Sequence, residues 1–204
     1  LWHNYLTFFL MMSENPFSMT CEKVGASDGS VNELVENDFR IFKELFDYDF
    51  GPIEKDLGIN CFSQISNYKA IHKKDLMYNK NVSEKVRSLS KKLEAAKDEK
   101  EFFDAVTGFY KDYGVGMFGL NKAFRIDDTP QGSFTFRAIN NMDTVMLDDL
   151  VGYEIQKKKL VDNTEAFVQG KKANNVLLFG DSGTGKSTSI KAIVNQYYKD
   201  GLRM

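Results

Sequence analysis

The sequence of 204 residues predicts an α/β P-loop nucleotide-binding fold that follows a mainly helical first half. Three observations predict it. Val176-Leu177-Leu178-Phe179 is a short apolar run of the kind found in a parallel strand buried on both faces. The loop Gly180-Asp181-Ser182-Gly183-Thr184-Gly185-Lys186-Ser187 follows at once, and Ile190, Ile193, Val194 and Tyr197 then recur at helical spacing.

The bulk composition allows this reading and narrows the rest. With 27 Lys and Arg against 29 Asp and Glu, the net charge of −2 supplies no global field toward nucleic acid or anionic lipid. Cys21 and Cys61 stand far apart without CxxC spacing, so both are expected as buried thiols in a reducing, cytoplasmic setting. His3 and His72 are equally isolated, which leaves little material for a metal site. The apolar opening Leu1–Met12 is shorter than the about 20 residues that span a bilayer and lacks a basic lead and a cleavage site. A buried helix is expected there, and no membrane partner. The chain starts without an initiator methionine and stops at Met204 directly after a helix and turn, so both ends are expected to be cuts.

Residues 1–120 read as a mainly helical domain. Asp38 is a candidate cap for a helix over Phe39–Phe46, and Gly51-Pro52 interrupts the pattern. A further helix is expected to begin at Ser83, with Val86, Leu89 and Leu93 inward and a solvated face of lysines and glutamates. Asp98 followed by Glu101 is a helix-start signal, and Phe102, Phe103, Val106, Phe109 and Tyr110 continue as a core stripe. Gly114-Val115-Gly116-Met117-Phe118-Gly119 matches GxGxxG. A dinucleotide loop needs a preceding strand, whereas a helical pattern precedes this one, so the segment reads as a helix exit.

Residues 121–144 are expected to form a β-hairpin connector. Ala123–Ile126 and Ser133–Ile139 flank the turn-rich Asp127-Asp128-Thr129-Pro130-Gln131-Gly132. Arg125 and Arg137 are assigned to strand-edge solubility in preference to a phosphate or partner contact. Residues 145–204 then carry the N-terminal portion of the nucleotide-binding domain, ending after the P-loop helix.

The loop pattern GxxxxGK[ST] arises by chance roughly once in 150 chains of this length, and the strand and helix flanks lower that further. Glycines at 180, 183 and 185 permit positive φ and let backbone N–H groups, including those of Asp181, Ser182 and Thr184, turn inward around phosphate oxygens. The N-terminus of the following helix adds partial positive charge. Lys186 is placed to reach the β- and γ-phosphates, the Ser187 hydroxyl to complete coordination of Mg2+, and Thr188 to sit near the α-phosphate.

Upstream of the apolar run lie Leu147-Asp148-Asp149-Leu150-Val151-Gly152-Tyr153-Glu154, then a helical pattern with Leu160, Val161, Thr164, Phe167 and Val168 on one face, then a short polar linker. This order resembles the AAA+ ATPases, whose linker of the form D-D-L-V-G-x-E crosses the nucleotide. The resemblance implies that Val151 and Gly152 line the base pocket. It also implies an ATP-binding ATPase that assembles as a homo-oligomer and couples hydrolysis to remodelling of a protein or nucleic-acid client. The wording of Asp149–Glu154, Asn174–Gly180 and Gly201-Leu202-Arg203 is similar to the bacterial predicted AAA+ ATPases of domain-of-unknown-function family 815, with weaker echoes at Glu14–Phe17 and Tyr113–Gly116. In that family type the Walker B acidic pair, the sensor residue and the arginine finger all follow this region. No catalytic residue is therefore assigned, and the fragment is expected to be inactive, to have only one strand of its sheet and to bind nucleotide weakly. A P-loop kinase or GTPase-like switch, and a non-hydrolysing module in which nucleotide joins domains, remain as alternatives. The kinase or GTPase-like switch would share the loop and lysine without needing the Asp-Leu-Val-Gly linker.

Overall fold

The computed structural model of the chain describes residues 1–26, 30–66, 68, 80–130, 132–140 and 142–204. They divide into two compact units, Leu1–Leu120 and Asn121–Met204, and their regular structure is mostly helical with one two-stranded antiparallel hairpin.

The first unit is built from α1 (Trp2–Met12), α2 (Pro16–Val24), α3 (Ser30–Phe46), α4 (Gly51–Leu57), α5 (Cys61–Ser66), α6 (Lys80–Ala95), α7 (Glu99–Tyr113) and α8 (Gly116–Leu120). Its core forms around α7, whose Phe102, Phe103, Val106, Phe109 and Tyr110 are all buried. Phe39 meets Phe103 edge-on at 5.3 Å between ring centres, and Phe46 meets Phe102 in the same way at 5.7 Å. Val86, Leu89 and Leu93 of α6 and Leu10 and Met11 of α1 complete this cluster. The Tyr110 hydroxyl donates to the Leu10 carbonyl at 2.9 Å, which satisfies the one polar atom that the aromatic stripe brings inside. Burial pushes its pKa well above the usual phenol value.

Local capping follows the sequence signals. The Asp98 carboxylate accepts from the Glu101 amide at 2.8 Å and Glu101 reaches back to the Lys97 amide at 2.8 Å, so the first turn of α7 is closed from both sides. In α2, Asn15 and Ser18 exchange side-chain and backbone hydrogen bonds, with Pro16 at the first helical position.

Several expectations for this unit are corrected. Asp38 is no cap but an exposed residue inside α3, because the apolar stripe at Val35, Phe39, Phe42 and Phe46 extends the helix upstream past it. α6 begins at Lys80, before Ser83, and its charged face is not wholly solvated, since Lys85 is only 8% exposed. α1 buries one face only, through Leu6, Leu10 and Met11, and exposes Tyr5, Phe8 and Phe9 on the other. Cys21 is buried, and burial raises its thiol pKa, but Cys61 lies exposed on the short helix α5. His3 stacks on Phe46 and contacts its carbonyl at 2.8 Å, while His72 lies outside the described residues.

The GxGxxG segment is the exit from α7, as its helical approach indicates. Gly114 ends α7 at φ 81°, and the Val115 amide donates to the Glu22 carboxylate at 3.1 Å. A Cβ on Gly119 would fall 2.3 Å from the Gly114 carbonyl carbon, and one on Gly116 would fall 1.7 Å from a Glu14 carboxylate oxygen. The glycines serve close packing of this chain's own backbone and carboxylates.

The second unit opens with β1 (Phe124–Asp128) and β2 (Phe134–Ala138), paired so that Ile126 faces Phe136 and Arg125 faces Arg137. Period-2 alternation puts the phenylalanines and Ile126 on one face, with Asp128 at its turn end, and Arg125, Asp127 and Arg137 on the other. Arg137 pairs with Asp127 at 2.8 Å, which relieves the repulsion between the facing arginines. At the root of the hairpin the Phe124 amide donates to the Met204 carbonyl at 2.7 Å, and the Met204 amide to the Lys122 carbonyl at 3.2 Å. Two helices follow, α9 (Glu154–Val168) and α10 (Lys186–Tyr197), with single 3-10 turns at Leu147–Asp149 and Tyr198–Asp200. Ala192, Ile193, Val194 and Tyr197 of α10 pack with Leu160, Leu147 and Leu202.

The strand expected at Val176–Phe179 joins no sheet among the described residues, and Leu177 and Phe179 are 82% and 86% exposed. A strand is defined by a ladder to a neighbour, so an apolar run without a partner cannot bury its two faces. Phe167, expected on the buried face of α9, is 61% exposed for the same lack of a covering layer, whereas Leu160 and Thr164 are buried.

Candidate functional site

The glycine-rich loop makes a closed turn that delivers the chain into α10. Gly180, Gly183 and Gly185 take φ values of 144°, 83° and 79°, conformations that a Cβ would penalise, and Gly185 immediately precedes the helix. The Thr184 hydroxyl donates to the Asp181 carbonyl at 2.9 Å, and the Ser189 hydroxyl donates back to the Gly185 carbonyl at 2.9 Å. Lys186 folds over the loop. Its ammonium donates to the carbonyls of Gly180 at 2.9 Å and Asp181 at 2.6 Å and approaches the Thr184 hydroxyl at 3.4 Å. The side chain that sequence reasoning aimed at phosphates thus spans the mouth of the loop. No acidic residue stands in the first turn of α10, so the positive end of its dipole is unopposed there.

Facing the loop is a strap made by the residues that enter α9. The Met146 amide donates to the Asp149 carboxylate at 2.8 Å, closing the 3-10 turn. Val151 follows, 95% exposed, then Gly152 at φ 84° and Tyr153 at φ 57°. A non-glycine residue in the left-handed region carries strain, and here it swings the strap into α9. The Lys157 ammonium holds the strap by donating to the Leu150 carbonyl at 2.8 Å and pairs with Glu154 at 2.8 Å. A Cβ placed on Gly185 would come 3.8 Å from the Leu150 side chain, so strap and loop are neighbours.

Between strap and loop lies a cavity of about 530 Å³. Of the residues selected from sequence, Val151, Gly152, Gly183, Thr184, Gly185 and Lys186 line it. Gly180, Asp181, Ser182, Ser187 and Thr188 are not among its lining residues; Asp181, Ser182 and Ser187 are exposed and Thr188 is half-buried. Tyr153, Gln156, Lys157, Leu160, Leu178 and Ser189 also line it, although none of them was assigned to the site from sequence. Gln156, Lys157 and Leu160 reach it by helix phase, as neighbours on one face of α9, a signal readable only once the strap is known to turn there.

The elements around the cavity are tied together by side chains. Asn163 and Asn174 exchange two hydrogen bonds, at 2.9 and 2.8 Å, fixing α9 to the segment before the loop. The Tyr197 hydroxyl donates to Glu165 at 2.8 Å and joins α10 to α9. Burial, helped by the Glu165 carboxylate, pushes the Tyr197 pKa up to about 12. Among the described residues there is no His, Cys, Asp and Glu group of metal-binding size, and no helix is long and apolar enough to cross a membrane.

Residues 120–204 match the family described as "Protein of unknown function (DUF815)". Over 58 residues the chain is 40% identical to the Replication factor C large subunit of Methanococcus vannielii and 36% identical to that of Methanococcus maripaludis. Each of those stretches is 28% of this chain and 12% of the relative, so the chain spans only a small part of the length of these proteins. No solved structure matches the chain.

Proposed function

We propose that the cavity between strap and loop binds ATP with Mg2+, and that the chain is part of an ATPase of the AAA+ type. The observation that carries this reading is the geometry of Gly180–Lys186: three glycines at positive φ, a lysine across the loop mouth, and a helix N-terminus free of acidic residues. The Lys186 contacts supply a means of exchange, since its ammonium trades two carbonyl acceptors for phosphate oxygens without leaving the loop. Ser187, on the first turn of α10, would hold Mg2+, which neutralises phosphate charge when bound, and Thr188 would lie toward the α-phosphate. On the other wall, Val151 and Gly152 present an exposed apolar edge suited to a base. The partial likeness to replication factor C large subunits supports an ATPase-type activity. Within this reading, residues 1–120 engage a protein or nucleic-acid client, 121–144 connect, and 145–204 begin the nucleotide domain of a cytoplasmic homo-oligomer of the kind found in bacteria.

Lys186→Ala tests it. A lysine–phosphate contact at about 4 Å is worth on the order of 4 kcal/mol before desolvation at an effective dielectric near 20. ATP affinity of the intact protein by calorimetry is expected to fall at least about tenfold. Unchanged affinity removes the assignment, and a wild-type chain that prefers GTP redirects it to a GTPase-like switch.

A further inference from the structure

The strap has little regular structure of its own, so its course must be fixed by its neighbours. Its apolar residues Met142, Val145, Leu147 and Leu150 pack in the core beneath α10. Apolar contact is non-directional and selects no single backbone path. Directional contacts come from Lys157 of α9, which holds the Leu150 carbonyl at the far end of the strap, and from Lys191 and Asn195 of α10, which hold its start. The Asn195 side-chain amide donates to the carbonyls of Asp143 at 2.7 Å and Val145 at 3.0 Å, and the Lys191 ammonium pairs with the Asp143 carboxylate. On its other side, the Lys122 ammonium approaches the Asn195 amide oxygen at 3.4 Å. These three partners fix the amide's orientation. Turned over, its oxygen would face two carbonyl oxygens and its NH2 would face an ammonium.

Asn195 lies roughly 14 Å along the helix axis from Lys186. One rod therefore carries the phosphate-side loop at its start and the anchor of the strap further on. We infer that Asn195 is a positioning residue that sets the strap, with Val151 and Gly152, against the loop across the cavity. The inference rests on the reading of that cavity as a nucleotide site. It has an asymmetric consequence, because the loop and the start of α10 do not depend on Asn195 while the strap does. Loss of its two donors weakens whatever lies against the strap and spares whatever lies in the loop.

Two probes separate these, Mg·ATP and magnesium tripolyphosphate, titrated calorimetrically into the full chain. Asn195→Asp keeps the side chain's size and puts an acceptor where two carbonyls need a donor. ATP affinity is expected to fall about tenfold, and tripolyphosphate affinity to change by less than about twofold. Asn195→Ser, which keeps one donor, should fall between wild type and Asn195→Asp, and it serves alone if the Asp variant does not fold. Lys186→Ala weakens both probes. If both Asn195 variants bind ATP as wild type does, or lose both probes equally, the inference is overturned while the Lys186 result leaves the cavity assignment standing. A wild-type chain that binds neither probe overturns the nucleotide reading and this inference with it.

Discussion

Lys85 carries a positive charge into the interior of the first unit, where its ammonium donates to the carbonyls of Gly119 and Leu120, each at 3.1 Å, and lies 5.0 Å from the centre of the Tyr113 ring. Burying an ammonium is costly unless its hydrogen bonds are replaced, and the carbonyls ending α8 replace them while gaining a cation at the negative end of that helix. Lys85→Met keeps the apolar stem and removes the charged donor, so it isolates the polar part of the contact. A loss of about 2 kcal/mol in urea unfolding is expected, with Lys85→Ala costing more through the lost stem. A cost below about 0.5 kcal/mol for Lys85→Met would mean that the ammonium merely rests on the carbonyls. Residues of this kind were the least legible in the sequence. In a helix rich in lysine and glutamate nothing marks which lysine turns inward, and Asn195 gives no more warning, because their partners are backbone carbonyls distant in sequence.

At the scale of elements, a glycine has opposite meanings in α7 and at its exit. Gly108 is an exposed position inside α7 with nothing within 4 Å of where a Cβ would stand. Gly119 sits with that position 2.3 Å from backbone. Gly108→Ala is expected to stabilise by about 0.5–1 kcal/mol through helix propensity and unfolded-chain entropy. Gly119→Ala is expected to destabilise by about 2 kcal/mol, because the Gly114 backbone must move. Urea midpoints of the two variants moving the same way would contradict this account. Helices were the legible elements: the stripes through Val86, Leu89 and Leu93 and through Phe102 to Tyr110 are buried where their spacing placed them. Helix starts were less so. Asp38 has the chemistry of a cap, yet an apolar stripe reaching upstream to Val35 outweighs one side-chain hydrogen bond.

At the scale of the whole molecule, each apolar core among the described residues draws on one unit: the larger on residues from Leu6 to Leu120, the smaller on residues from Leu147 to Leu202. The sequence reading of Val176–Phe179 as a strand with both apolar faces poorly covered meets an exposed run that joins no sheet among the described residues, because a sheet needs further strands beside it. Separate cores mean that a ligand held by the second unit should stabilise that unit against opening and leave the first as it was. Amide exchange reads this residue by residue. With ATP at about a hundred times its dissociation constant, exchange in α10 at Ile193 and Val194 and in α9 at Leu160 is expected to slow by up to about a hundredfold. Amides of α7 such as Phe102 and Val106 should exchange at an unchanged rate, because ATP has no differential affinity for open and closed states of a core it does not touch. Equal slowing in α7 and α10 would show that the two cores open as one, and slowing in neither would remove the ligand from the second unit altogether.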